Sequence, residues 1–204
     1  MIAIVDYGVG NLFSLQCSLG VLGQETVVTG DPGILRDADR ILLPGVGAFG
    51  DAVDKLRAKG LDKVLLQTVE DGKPLLGICL GMQMLFEESH EYGKHIGLGL
   101  IPGQVIPFQG KLPDDYKIPH MGWNALTFRR SDCPLLANSR EGDYVYFVHS
   151  FYGSDCDESL AATAFYGVEV PAIVQKRRVY GCQFHPEKSG RVGLGILKAF
   201  CENG

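Results

Sequence analysis

The sequence predicts an α/β fold: an open, doubly wound, mostly parallel sheet flanked by helices, with an antiparallel extension in its second half. Three observations lead there. Short β-rich runs alternate with helical patterns through the first half. Some of these runs, such as 41-ILLP-44, are apolar throughout, as strands covered on both faces are. From about residue 99 strand follows strand.

The elements follow in order. The run 2-IAIVDY-7 opens the sheet, and Leu12, Leu15, Leu19 and Leu22 recur at spacings of three and four, which gives the next helix one apolar face. Strands are expected at 25-ETVVT-29, 40-RILLPG-45 and 74-PLLGIC-79. Between them, Phe49, Val53 and Leu56 mark another sheet-facing helix. A helix is expected over 80-LGMQMLFEES-89. The second half reads as strands at 99-GLIPGQVIPF-108, 143-DYVYFVHSFYG-153 and 160-LAATAFYG-167, then a hairpin across 170-VPAIVQKRRVYGCQF-184. The segment 188-KSGRVGLGILKAF-200 closes the chain with Val192, Ile196, Leu197 and Phe200 on one helical face. No repeat or linker interrupts the pattern, so a single domain over 1–204 is expected.

At 204 residues the chain is long enough to bury ~70% of the surface its unfolded form exposes. Its apolar runs are too short to span a bilayer, so no membrane span is expected. The first strand starts without a basic flank or cleavage site, so a cytoplasmic location is expected. A net charge of -5, with no basic run longer than 176-KRR-178, gives no footprint for nucleic acid, and the triplet reads as a solvated turn. The six cysteines are scattered, with no C-x-x-C pair and no zinc-like spacing. No metal, nucleotide or flavin cofactor is expected.

Cys79 stands apart from the other five. In 77-GICLG-81 it occupies the centre of a G-x-C-x-G, the thiol counterpart of the elbow in which a strand turns sharply into a helix and exposes a nucleophile. Gly77 and Gly81 keep that turn free of crowding side chains, and the positive end of the following helix favours negative charge on the sulfur. Taken alone, the pattern fits a buried structural cysteine as well as a nucleophile. A nucleophilic thiol works best with an imidazole and a third group that orients it. Of the five histidines, His90 and His95 lie in a polar segment, and His120 and His149 lack a carboxylate at useful spacing. His185 differs, because 181-GCQFHPE-187 places Glu187 two residues on, able to reach back to one ring nitrogen while the other faces Cys79. Oxyanion donors are expected at the amide of Leu80 and in the glycine-rich loop 44-PGVG-47, at the carboxyl rim of the sheet.

These elements, in this order, resemble the class I (triad) glutamine amidotransferases. The stretches 4-IVDYGVGNL-12, 43-LPGVGAFGDAV-53, 118-IPHMGWN-124, 145-VYFVHSFY-152 and 183-QFHPEKSG-190 are similar to the glutaminase subunits of imidazole glycerol phosphate synthases, across essentially the whole chain. The resemblance implies glutamine hydrolysis through a γ-glutamyl thioester on Cys79, with His185 and Glu187 completing the triad and Val46 and Leu80 supplying backbone oxyanion donors. It implies that Gln83 and Glu91 contact the polar ends of glutamine, and that Gly45, Gly47, Ser150 and Phe151 line the pocket largely through backbone. Phe151 stands where relatives often carry tyrosine, so only backbone roles transfer to it, and 89-SHEYGK-94 is less acidic than its counterpart in relatives. The implied partner is a (β/α)₈-barrel cyclase, joined in a heterodimer through Asn11, Trp123 and Lys188. That cyclase would take the ammonia and form imidazole glycerol phosphate and aminoimidazole carboxamide ribonucleotide in histidine biosynthesis. The resemblance further implies that the free glutaminase is nearly silent, and the glycines of 44-PGVG-47 would let one peptide flip to complete the oxyanion hole on activation.

Other readings fit parts of the same pattern: a glutaminase for pyridoxal phosphate or anthranilate synthesis, a cysteine hydrolase acting alone on γ-glutamyl peptides, or a redox sensor with Cys79 as its oxidisable thiol. The first lacks I-P-H-M-G-W-N, the second needs no partner, and the third needs no oriented imidazole. Cys182, three residues before His185, is a further thiol whose nearness to Cys79 would bear on its redox behaviour.

Overall fold

A computed structural model describes residues 1–204. The chain runs β1 (Ile2–Val5), α1 (Leu12–Val21), β2 (Thr26–Thr29), α2 (Pro32–Asp37), β3 (Arg40–Gly45), α3 (Phe49–Ala58), α4 (Leu61–Glu70), β4 (Leu75–Cys79) and α5 (Leu80–Met84). It continues through β5 (Phe86–Ser89), β6 (His95–Ile96), β7 (Ile101–Pro107), β8 (His120–Ala125), β9 (Thr127–Phe128), β10 (Tyr144–His149) and β11 (Phe151–Ser154). β12 (Leu160–Tyr166), β13 (Val168–Lys176), β14 (Val179–Cys182) and α6 (Gly190–Asn203) complete it. No helix is long and apolar enough to cross a membrane.

The main sheet has eight strands in the order β2-β1-β3-β4-β14-β13-β12-β9. Its first five are parallel, and from β14 onward each neighbour is antiparallel. This is the doubly wound sheet with an antiparallel extension that the alternating pattern predicts. Helices lie on both faces, so the core splits into two. One packs Leu15, Leu19, Ile196, Leu197 and Phe200 of α1 and α6 on one side of the sheet. The other packs Phe49, Val53, Leu56 and Leu65 of α3 and α4 on the opposite side. The parallel strands β3 and β4 are almost wholly buried, which is why they read as continuous apolar runs.

Two expectations are corrected. The helix expected over 80–89 ends at Met84, and Phe86–Ser89 is a strand. There β5 pairs in parallel with β7 and antiparallel with β6, and buries Phe86 and Ser89, so sheet pairing overrides the local helical spacing. Nor does the whole second half extend the main sheet. β8 and β10 form a ribbon of their own, and β11, β7, β5 and β6 form a four-stranded sheet. The run 143–153 therefore breaks at Ser150 and serves two sheets.

Candidate active site

Cys79 is the last residue of β4, at the middle of the parallel array. Its backbone sits at φ 55 and ψ -112, a positive φ that side chains other than glycine rarely adopt. The turn is possible only because its neighbours lack side chains. A Cβ on Gly81 would run into the Leu43 carbonyl of β3, and one on Gly77 would lie 2.6 Å from the Gly81 carbonyl oxygen. The thiol donates to the Val148 carbonyl at 4.0 Å and accepts from Gln183 Nε2 at 3.8 Å.

His185 reaches the same place by register. β14 lies beside β4 with Cys182 opposite Ile78, so the chain leaving β14 passes next to Cys79. Its backbone is clamped: His185 N–H donates to the Tyr146 carbonyl at 3.0 Å, Ser189 Oγ donates to the His185 carbonyl at 2.7 Å, and Tyr146 N–H donates to Ser189 Oγ at 3.0 Å. Nδ1 of His185 lies 2.8 Å from Glu187 Oε1, with both side chains almost fully buried. Glu187 reaches back through a 3₁₀ turn over Pro186–Lys188, a different route from the extended chain that the sequence suggests. Burial on its own would lower the pKa of the imidazole, but hydrogen bonds to Cys79 and Glu187, and the charges on both, outweigh it and raise the ring to about 9. A thiol facing a proton-holding imidazole, itself held by a carboxylate, is equipped for nucleophilic attack on a carbonyl followed by protonation of the leaving group.

Cys79 and His185 open on a cavity of about 380 Å³. Val46, Gly47 and Leu80 line it beside the sulfur, and Gln83, Glu91, Ser150 and Phe151 line it farther on. Lys188 lines it too, and is exposed. Gln83 is buried, and its Nε2 donates to the Phe151 carbonyl at 2.9 Å and to Gln183 Oε1 at 3.0 Å. Glu91 Oε2 accepts from the Phe49 N–H at 2.6 Å, at the start of α3. Burial raises the pKa of its carboxyl, with the Phe49 amide acting the other way.

Four expected residues lie apart from this cavity. Gly45, Asn11 and Glu187 border a second, water-sized space of about 10 Å³ that also touches His185. Gly45 pairs with Cys79 across β3 and β4, where a Cβ would meet the Gly81 nitrogen at 2.8 Å. Trp123 is exposed on β8 and packs edge-on against Tyr146. Cys182 is fully buried, and burial, with the charges of Glu187 and Cys79, pushes its thiol well above the usual range, which marks a structural rather than a redox-active thiol.

The structure adds residues that sequence reasoning missed. Tyr7 is buried, and its hydroxyl donates to the Pro44 carbonyl at 2.9 Å, tying down the start of the glycine loop. Gln183, Ser189, His149 and His120 are the others, each buried against the triad or the pocket wall. Gln183 and Ser189 flank H-P-E, whereas His120 and His149 are set aside in the sequence for want of a carboxylate at useful spacing.

Comparisons with known proteins agree with this geometry. The family model described as glutamine amidotransferase class-I matches residues 3–203. Imidazole glycerol phosphate synthase subunit HisH of Geobacillus sp. (strain WCH70) is 52% identical over 203 residues, 98% of this chain and 95% of the relative. The subunit of the same name from Bacillus subtilis (strain 168) is 49% identical over the same shares. Among solved structures, a chain of PurLQS from Thermotoga maritima superposes with a TM-score of 0.75 at 21% identity, covering 98% of this chain and 96% of that one; at that identity the likeness bears on the fold alone. With one family model along nearly its whole length and relatives about half identical, this chain belongs to the class I glutamine amidotransferases, in the branch of the HisH subunits of imidazole glycerol phosphate synthase.

Proposed function

We propose that residues 1–204 work as one glutaminase domain in which Cys79, His185 and Glu187 split glutamine. Cys79 Sγ attacks the side-chain amide carbon, and the Val46 and Leu80 amides receive the oxyanion that forms. The C–N bond breaks as His185 protonates the departing nitrogen, releasing ammonia and leaving a γ-glutamyl thioester. Water then attacks the thioester carbon and gives a proton to His185; the C–S bond breaks, glutamate leaves and the Cys79 sulfur is restored. Glu187 keeps the ring oriented and steadies its charge. Gln83 and Glu91 bind the polar ends of glutamine, while Gly45, Gly47, Ser150 and Phe151 shape the pocket through backbone. The observation that supports this reading best is the strained Cys79 opening on the 380 Å³ cavity together with a His185 already held by Glu187.

The chain is the glutaminase subunit of imidazole glycerol phosphate synthase, acting in histidine biosynthesis. Its partner is the cyclase subunit, a (β/α)₈ barrel, met in a heterodimer through Asn11, Trp123 and Lys188. Ammonia passes to that subunit, which forms imidazole glycerol phosphate and aminoimidazole carboxamide ribonucleotide. We place the protein in the cytoplasm, where the six free thiols stay reduced. The test is glutamate release by the pure chain, alone and then with the cyclase and its nucleotide acceptor. Strong activation, abolished by Cys79→Ser, is the expected result. High activity by the chain alone would favour an independent hydrolase, and silence throughout would overturn the reading.

A further inference from the structure

Behind the pocket wall a line of polar groups runs from the glutamine cavity to the outer edge of β8. The Phe151 carbonyl meets His149 Nδ1 at 2.8 Å. His149 Nε2 meets His120 Nδ1 at 2.8 Å, and His120 Nε2 meets Asn124 Oδ1 at 2.8 Å. Asn124 Nδ2 donates to the Phe165 carbonyl at 2.9 Å. The rings are buried among Phe108, Phe147 and Tyr166, with His120 stacked on Tyr166 at 3.9 Å between centroids.

Counting protons along this line gives a shortfall. Both ends are carbonyl oxygens, which only accept. Each neutral imidazole supplies one N–H, and the Asn124 amide supplies one donor along the line, so three donors serve four links. One link is therefore always empty unless the pair takes up an extra proton. The surroundings oppose that proton. Burial lowers the pKa of both rings; for His149 the Phe151 carbonyl acts the other way, the charges of His120 and His185 add to burial, and the outcome is about 3.

Where the empty link falls depends on Asn124. With Oδ1 on His120, as in this structure, His120 donates from Nε2. His149 then donates to His120, and its bare Nδ1 faces the Phe151 carbonyl. The alternative leaves two bare nitrogens facing each other with no donor for either, whereas the Phe151 carbonyl still accepts from Gln83, so the alternative is worse. Rotating the amide by half a turn lets Nδ2 donate to His120. Both rings then switch tautomer, His149 donates to the Phe151 carbonyl, and the empty link moves to the exposed Phe165 end, where water or a docked protein can fill it. The Phe151 carbonyl also accepts from Gln83, so the state of this line decides how firmly the pocket wall is held.

We propose that His149, His120 and Asn124 are positioning residues for glutamine turnover, forming a donor-short relay in which the orientation of the Asn124 amide sets whether His149 holds the Phe151 carbonyl. The proposal rests on the glutaminase reading. It makes the outer edge of β8, beside the exposed Met121 and Trp123, the point from which a docked partner acts on the pocket.

The test is ¹⁵N NMR of the histidine-labelled protein, alone and in the complex with the cyclase, alongside glutaminase kinetics. The free chain should show neutral His120 and His149 with the proton on Nε2 of each. In the complex both should change to the Nδ1–H tautomer. Asn124→Asp offers oxygens only, so it should hold the free-chain tautomers even in the complex. There it should raise KM for glutamine roughly 3- to 10-fold, the scale of one hydrogen bond, with a much smaller change in kcat. His120→Gln, similar in size, should lose the response to the partner while the urea midpoint shows the chain still folded. An imidazolium in either ring at pH 7, or tautomers unchanged on complex formation, would overturn the relay. A complex that fails to hydrolyse glutamine would instead overturn the glutaminase reading, because the NMR result is read independently of activity.

Discussion

His185 is pulled in two directions: its burial works against a charge that Cys79 and Glu187 together sustain, and the pair prevails. A ring with a pKa of about 9 carries its proton throughout the neutral range and can give it to departing ammonia. The rate of thioester formation should therefore fall above pH 9, where the ring loses that proton. Glu187→Gln removes the negative charge that favours the protonated form, so the alkaline limb should move to lower pH and kcat should drop ~10²-fold or more. Pre-steady-state ammonia bursts across pH would read this, and an unmoved limb would mean that Glu187 does not act through the ring. The triad was legible in the sequence because two short motifs contain all of it, G-x-C-x-G and H-P-E. The groups that steady it were not. Gln183 donates to Cys79 and accepts from Gln83, and Ser189 ties His185 to Tyr146, contacts that join residues from 43 to 104 positions apart or depend on a turn that only the folded chain defines.

At the level of elements, the turn from β4 into α5 depends on how closely β3 approaches. Gly81 leaves no room for a methyl group against the Leu43 carbonyl, whereas Gly47 has open space around it and a φ of +92. The two glycines are therefore needed for different reasons, one steric and one conformational. Gly81→Ala should cost ~3 kcal/mol or more in urea denaturation, since backbone must shift to admit the Cβ. Gly47→Ala should fold with a loss of only ~1–2 kcal/mol, because the penalty is that of a left-handed residue in open space. Equal losses would mean that the elbow tolerates crowding and that the glycines of G-x-C-x-G have another purpose. The inner parallel strands β1, β3 and β4 were legible because each is buried on both faces and punctuated by glycine or proline. The segment Phe86–Ser89 was not, because it reads as helix until β6 and β7 supply its hydrogen-bond partners. The break at Ser150 was hidden for the same reason: one apolar run feeds two sheets, and nothing local marks the exchange.

Across the whole molecule, twelve large apolar side chains are exposed, and five of them come from neighbouring segments. Ile118, Met121, Trp123, Tyr144 and Phe165 are all exposed, from the β8–β10 ribbon and the segments beside it, and Pro119 next to them lines the mouth of the catalytic cavity. An apolar rim beside an active site is the mark of a surface that a partner covers. The chemistry gives a reason for the cover, since ammonia released to open water at neutral pH is protonated and ceases to be a nucleophile. Trp123 is the largest side chain on this face. It is 52% exposed, and its edge-on contact with Tyr146 across the ribbon, centroids 5.9 Å apart, holds the ring in place in advance of docking. Trp123→Ala removes little from the core of the free chain, so its stability should change by ~0.5 kcal/mol or less. Association with the cyclase should weaken by ~2 kcal/mol or more, about 30-fold in Kd. Calorimetric titration of the cyclase into each version, beside thermal melts of the chains alone, separates the two effects. A weaker complex from an equally stable chain would place the partner on this face, and an unchanged Kd would move the interface elsewhere and leave the apolar rim without its cover.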